Sequence, residues 1–100
     1  MRYRVRFTRG AEKDLLELYD FLAERDVDAA QRALRAVRKA VELLGIFPFA
    51  CRKAWAPKPD PSLREMVISF GNRGYVALFR VERRNVIVLA VRHQRHEDFQ

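Results

Sequence analysis

Arg64, Arg80, His93 and Arg95 are the residues of this chain whose types suit phosphoryl chemistry. Cleaving RNA through its own 2′-hydroxyl takes a base for the hydroxyl proton, an acid for the leaving oxygen, and cations for the charged phosphorane. Guanidinium groups hold phosphate through paired N–H donors, a task open to Arg64 and Arg80. Imidazole titrates near neutrality, and His93 stands at the end of an apolar run with Arg95 two positions later. Glu65, beside Arg64, is a base where its surroundings allow. Plainer roles exist for the same residues. Arg64 and Arg80 also suit strand-edge carbonyls or ion pairs with Glu65 and Glu82, and His93 suits a hydrogen bond that anchors the C-terminal tail. His93 and His96 are three apart, but no further ligand pattern accompanies them, so no metal is expected. Nor is a cofactor. Cys51 is the only cysteine, with no nucleophile motif around it and no partner for an internal disulfide.

The placement of charge points toward binding. The formal net charge is +7. Residues 1–28 hold seven acids and six bases, a net of −1, while residues 29–100 carry +8. Such a field favours polyanions or an acidic protein partner. Arg2, Arg4 and Arg6 alternate with Tyr3, Val5 and Phe7, which puts three arginines on one face of a strand. These arginines, with Arg64, Arg80, Arg92, His93 and Arg95, are candidates for contact with a target or partner. A solvated surface is the plain alternative. No apolar run approaches the roughly 20 residues of a bilayer span. The arginine-interrupted start does not read as a secretion signal. With the single cysteine, this leads to the expectation of a reduced, cytoplasmic protein away from membranes.

The elements that must position these residues follow from periodicity. Met1–Thr8 reads as a strand, and Thr8 as the cap of a helix over Arg9–Glu24 with an apolar stripe of Ala11, Leu15, Leu18, Tyr19 and Leu22. After a polar break, Asp28 and Gln31 suggest a capping box for a second helix that runs to about Leu44, where Gly45 ends it. Ile46–Pro61, with four prolines, reads as irregular, and Trp55 there as a lid on the core rather than a base-stacking platform. Strands are expected over Leu63–Phe70, Tyr75–Val81 and Val86–Val91, with turns at Gly71–Gly74 and Glu82–Asn85. The continuously apolar third run predicts a central strand buried on both faces. The result is one domain over residues 1–100, an α+β two-layer fold of order β-α-α-β-β-β. Its helical hairpin packs on one face of a mainly antiparallel sheet.

Several segments together resemble the RelE/ParE toxin superfamily. They are Tyr3–Thr8 followed by Ala11 and Asp14-Leu15; Leu44 followed by Pro48; Leu63–Ile68; Gly74–Val81; and Ile87–Arg95 with its His-x-Arg ending. The match spans nearly the whole chain and looks like the ParE-like branch. The resemblance implies the toxin of a type II toxin–antitoxin pair, neutralised by a protein antitoxin. A ParD-like antitoxin would be a ribbon-helix-helix protein with a disordered tail, and it would bring the complex to operator DNA. Leu15, Leu18, Tyr19, Leu22 and Trp55 are candidates for the groove that takes this tail. RelE-like members cleave messenger RNA on the ribosome, and ParE-like members poison DNA gyrase. Where nuclease relatives carry an arginine early in the second of the three late strands, this chain has Val76 after Tyr75; near the end it has Phe99, which lacks a hydroxyl. These departures favour gyrase poisoning without bond-making chemistry over the alternative of a ribosome-dependent endonuclease. A module that binds but has lost toxicity is a third reading.

Overall fold

The alternation of arginine and apolar residues becomes β1 (Arg4–Phe7) in the computed structural model, which describes residues 2–54, 61–70 and 73–93. Thr8 then turns the chain into α1 (Arg9–Ala23). Its hydroxyl accepts the Ala11 N–H, one of the donors a helix start leaves unpaired. α2 (Val27–Leu44) follows. Its cap is Asp26 and not the expected Asp28, because Asp26 has the extended backbone a cap needs and accepts from the Asp28 and Ala29 N–H groups. Asp28 lies inside the first turn, where its charge complements the helix dipole.

Gly45 closes α2, but in right-handed geometry with φ −69°, not as a left-handed terminator. The chain packs closely at this point without demanding glycine. The Tyr3 N–H donates to the Gly45 carbonyl at 2.7 Å, and a Cβ here would stand 3.4 Å from the Tyr3 and Glu42 carbonyl oxygens. The segment expected to be irregular holds a 3₁₀ turn at Pro48–Ala50 and a two-residue strand, β2 (Arg52–Lys53). Trp55 lies outside the described residues, as do Gly71 and Asn72 of the expected turn. β3 (Leu63–Phe70), β4 (Arg73–Glu82) and β5 (Asn85–His93) complete the chain order. β4 therefore starts inside the expected turn. The β4–β5 turn holds Arg83 at φ 57°, the left-handed region, in the tight reversal it makes with Arg84.

The five strands form one sheet in the order β1-β5-β4-β3-β2. Neighbours are antiparallel except β1, which runs parallel to β5. The two helices cover one face, as the α+β two-layer pattern predicts. Phe79, Val86 and Val88 are fully buried there beneath Ala11, Ala40 and Leu44. A smaller cluster of Leu22, Ala30 and Ala33 joins the helices to each other. β5 departs from its predicted setting. It lies one place from the sheet edge, with Val86, Val88 and Val91 buried and Ile87, Leu89 and Ala90 only half-buried. Helices cover a single face, so the apolar run is buried on one side. Among the described residues no helix is long and apolar enough to cross a membrane.

One irregularity ties the layers together. Leu78 pairs with Ala90 and Phe79 with Val88, so Leu89 is an extra residue, a β-bulge. α1 supplies the partners that the interrupted ladder lacks. The Thr8 hydroxyl donates to the Leu89 carbonyl at 3.2 Å, and a half-buried Asp14 carboxylate accepts the Val91 N–H at 2.9 Å. Asp14→Ala strips the partly buried Val91 N–H of its acceptor and is expected to cost about 1–3 kcal/mol. Urea unfolding measures this; Asp14→Asn, which keeps an oxygen, loses less, and an unchanged Asp14→Ala midpoint would contradict the clamp.

Candidate functional site

Strand register decides which cations share a surface. Arg6 pairs with Ile87, Ile87 with Arg80, and Arg80 with Leu63. Directly paired residues point to the same side. Phe7, Val88 and Phe79 fill the helix-covered side, so this row belongs to the outer face. Two strand spacings of about 4.8 Å place the Arg6 and Arg80 backbones roughly 10 Å apart. Two residues along the strands, Arg4 pairs with Asn85 and Asn85 with Glu82. Three guanidinium groups and one carboxylate therefore share a patch across β1, β5 and β4.

The electrostatics of the patch are open. Arg4 and Arg6 are exposed, and among the described residues neither has a carboxylate partner. Arg80 Nε stands 2.7 Å from a Glu82 carboxylate oxygen, but its N–H makes no aligned hydrogen bond, so the pair is one of proximity. Both side chains are about half exposed, which holds its worth below about 1 kcal/mol. The patch thus presents net positive charge beside the half-buried Ile87.

Other outer-face residues are committed elsewhere. Glu65 is 3% exposed, and Arg52, opposite it in register, meets its carboxylate at 2.5 Å. A buried carboxylate needs such a partner, so Arg52 of β2 satisfies Glu65 and occupies it as a base. Val76 is 1% exposed on the same face. Arg92, paired with Val76, is exposed but five residues along β5 from Ile87, roughly 16 Å at strand rise. Arg2 is exposed ahead of β1.

Arg64 and His93 point the opposite way. Arg64 pairs with Phe79 and so faces the helix layer. Its guanidinium donates to the Cys51 carbonyl at 2.8 Å and lies 5.1 Å over the Phe49 ring. Burial pushes the Cys51 thiol above its ordinary pKa, with the Arg64 charge opposing. His93 pairs with Tyr75 and meets that buried ring edge-on, centroids 5.0 Å apart. The bulge causes this. Val86 and Val88 face the core, and an unbroken strand would put Arg92 on that side; the extra residue turns Val91 and His93 inward and Arg92 outward. Of the four candidates for nuclease chemistry, Arg64 and His93 lie on the inner side and Arg80 on the outer. Arg95 lies outside the described residues, as do Phe99 and Trp55.

The groove candidates on α1 are largely spent on packing. Leu22 is buried, Leu15 and Leu18 lie against the core, and Tyr19 joins the inter-helix cluster. The apolar side chains that α1 and α2 leave in solvent are others, among them Leu16 at 64% exposure and Leu34. Leu16 sits off the apolar stripe of α1, the signal by which the sequence marks it, whereas Leu34 keeps the apolar spacing of α2 with Ala30 and Val37 and is nonetheless 39% exposed.

Residues 5–97 match the family described as "ParE toxin of type II toxin-antitoxin system, parDE". The chain is 31% identical over 83 residues to Toxin RelE3 of Caulobacter vibrioides, covering 83% of this chain and 85% of that one. Its fold is similar to a chain of the chromosomal ParDE system from P. aeruginosa, at TM-score 0.69 and 21% identity, covering 91% of this chain and 95% of that one. It is also similar to a chain of the RelBE2 toxin–antitoxin complex from Mycobacterium tuberculosis, at TM-score 0.59 and 23% identity, covering 94% and 100%.

The two outer-face ion pairs differ in what their loss exposes. Arg52→Ala strands a buried Glu65 carboxylate and is expected to cost about 2 kcal/mol, less than the 3–5 of a fully buried pair because Arg52 is half exposed. Arg80→Ala leaves Glu82 in water and costs under about 1 kcal/mol. Chemical denaturation of the two variants reads the difference; equal losses would remove the structural role given to β2.

Proposed function

The chain belongs to the ParE toxin family of type II toxin–antitoxin systems, and from that premise we propose that it arrests growth by binding and poisoning DNA gyrase in the cytoplasm. The observation that supports binding over bond-making chemistry is the split of the phosphoryl candidates between two faces of the sheet. Arg64 is bonded to a backbone carbonyl and His93 is packed on Tyr75, both on the helix side, while Arg80 faces away. Among the described residues, those that do converge are Arg4, Arg6 and Arg80, with no base or acid beside them except Glu82, next to Arg80. A patch of this composition suits docking on an acidic protein surface, where charge sets encounter rate and register.

A cognate antitoxin neutralises the toxin in this reading. It is ParD-like, a ribbon-helix-helix protein whose disordered tail folds on binding, and the operator sequence is read only through it. Exposed Leu16 and Leu34 on the helices supply apolar anchors, and the arginine face supplies charge for acidic tail residues. A second reading, ribosome-dependent cleavage of messages, draws on the likeness to a toxin named RelE3. It requires a general base and acid beside the Arg6–Arg80 row.

Purified toxin added to gyrase is expected to inhibit supercoiling and to leave cleaved plasmid. Arg6→Glu with Arg80→Glu raises the toxin concentration needed by at least about tenfold, or 1.4 kcal/mol. Unchanged supercoiling at saturating toxin overturns the proposal.

A further inference from the structure

α2 carries a second basic surface, on the other side of the molecule from the outer sheet face. Ala36, Val37, Ala40 and Leu44 commit one side of α2 to the core, so its opposite side meets solvent. Arg32, Arg35, Arg38 and Lys39 are all exposed there, and no acid occurs between residues 29 and 41. Among the described residues none of the four pairs with a carboxylate. Positions 32, 35 and 39 fall at i, i+3 and i+7. They share one face within about 60° and span roughly 10 Å of helix. Arg38 flanks the line.

The composition of the stripe selects its partner. A membrane-surface helix needs a free apolar face, and that of α2 is already buried in the protein. Sequence-independent binding of single strands relies on aromatic platforms, and the stripe has none. A peptide that folds on binding is held by apolar anchors set among the charges; the exposed Leu34 lies about 100° round α2 from Arg35 and Leu43 one turn beyond Lys39, so the line of cations itself holds none. A phosphate backbone needs only cations held in a rigid row. The neighbouring α1 shows Glu17, Asp20 and Glu24 to solvent, which repels a polyanion from the rest of the hairpin and confines contact to α2. We infer that Arg32, Arg35 and Lys39 dock the phosphate backbone of a nucleic-acid duplex without reading its sequence. This surface is separate from the arginine sheet face and acts whichever target that face takes.

Fluorescence anisotropy of the full chain with a labelled 20-base-pair DNA duplex across a salt series tests this. Three phosphate contacts give a log–log slope near −3, so a threefold rise in salt weakens binding about 20-fold. Arg32→Gln/Arg35→Gln/Lys39→Gln is expected to flatten the slope by about 3, while Arg9→Gln/Lys13→Gln/Lys53→Gln, which removes the same charge elsewhere, leaves it nearly unchanged. Circular dichroism melts confirm that both variants fold, since all six positions are exposed. Absence of duplex binding at low salt overturns the inference. Equal flattening in both variants reduces it to net charge and also overturns it, as does equal binding of wild type and the α2 variant. Tighter binding to polyglutamate than to duplex assigns the stripe to an acidic protein instead.

Discussion

One extra residue in β5 sets the arrangement on which the rest of this structure depends. Leu89 interrupts the ladder with β4, and an interrupted ladder leaves backbone groups without strand partners. Thr8 and Asp14 take up the Leu89 carbonyl and the Val91 N–H, and both belong to the start of α1. The Thr8 N–H also donates to the Val88 carbonyl, so β1, α1 and β5 meet at one place. This fixes where the hairpin sits on the sheet. It also reverses the phase of β5, sending His93 against Tyr75 and Arg92 to the outside. A local backbone event thus decides which side chains a partner meets.

The charge distribution follows the same layering. Outer strand positions collect Arg4, Arg6 and Arg80, and inner positions of those strands are apolar because helices cover them. The helix layer is divided: α1 shows mainly acids and α2 mainly bases. Most of these groups are exposed, so in stability terms their worth is small. In recognition terms they are a strong signal, since a field patterned this way orients the molecule before contact. A toxin that works by binding needs such a surface and does not need a base, an acid and a phosphate clamp within reach of one another.

Much of this was legible in the sequence. Long periodic segments fixed both helices and four of the five strands, and the order of short motifs carried the family resemblance. What stayed hidden has physical causes. A two-residue strand such as β2 has no periodicity to read; it exists because the buried Glu65 needs Arg52. A continuously apolar run conceals its own phase, so neither the bulge nor the burial of only one face of β5 was visible. The parallel pairing of β1 with β5 joins residues some eighty positions apart and follows from topology rather than from any local pattern. Arg64 and Arg80 sound alike as phosphate ligands, but register sets them on opposite faces. Asp14 stood in the motif without its reason, which is the Val91 N–H.

The central proposal, that the toxin disables a topoisomerase by docking rather than by cutting RNA, has a direct test. It is run in one culture, by isolating covalent gyrase–DNA adducts and mapping message 5′ ends during a pulse of toxin. The account predicts that adducts rise within the pulse while the ends of translated messages stay as before. Codon-phased new ends without adducts would contradict it.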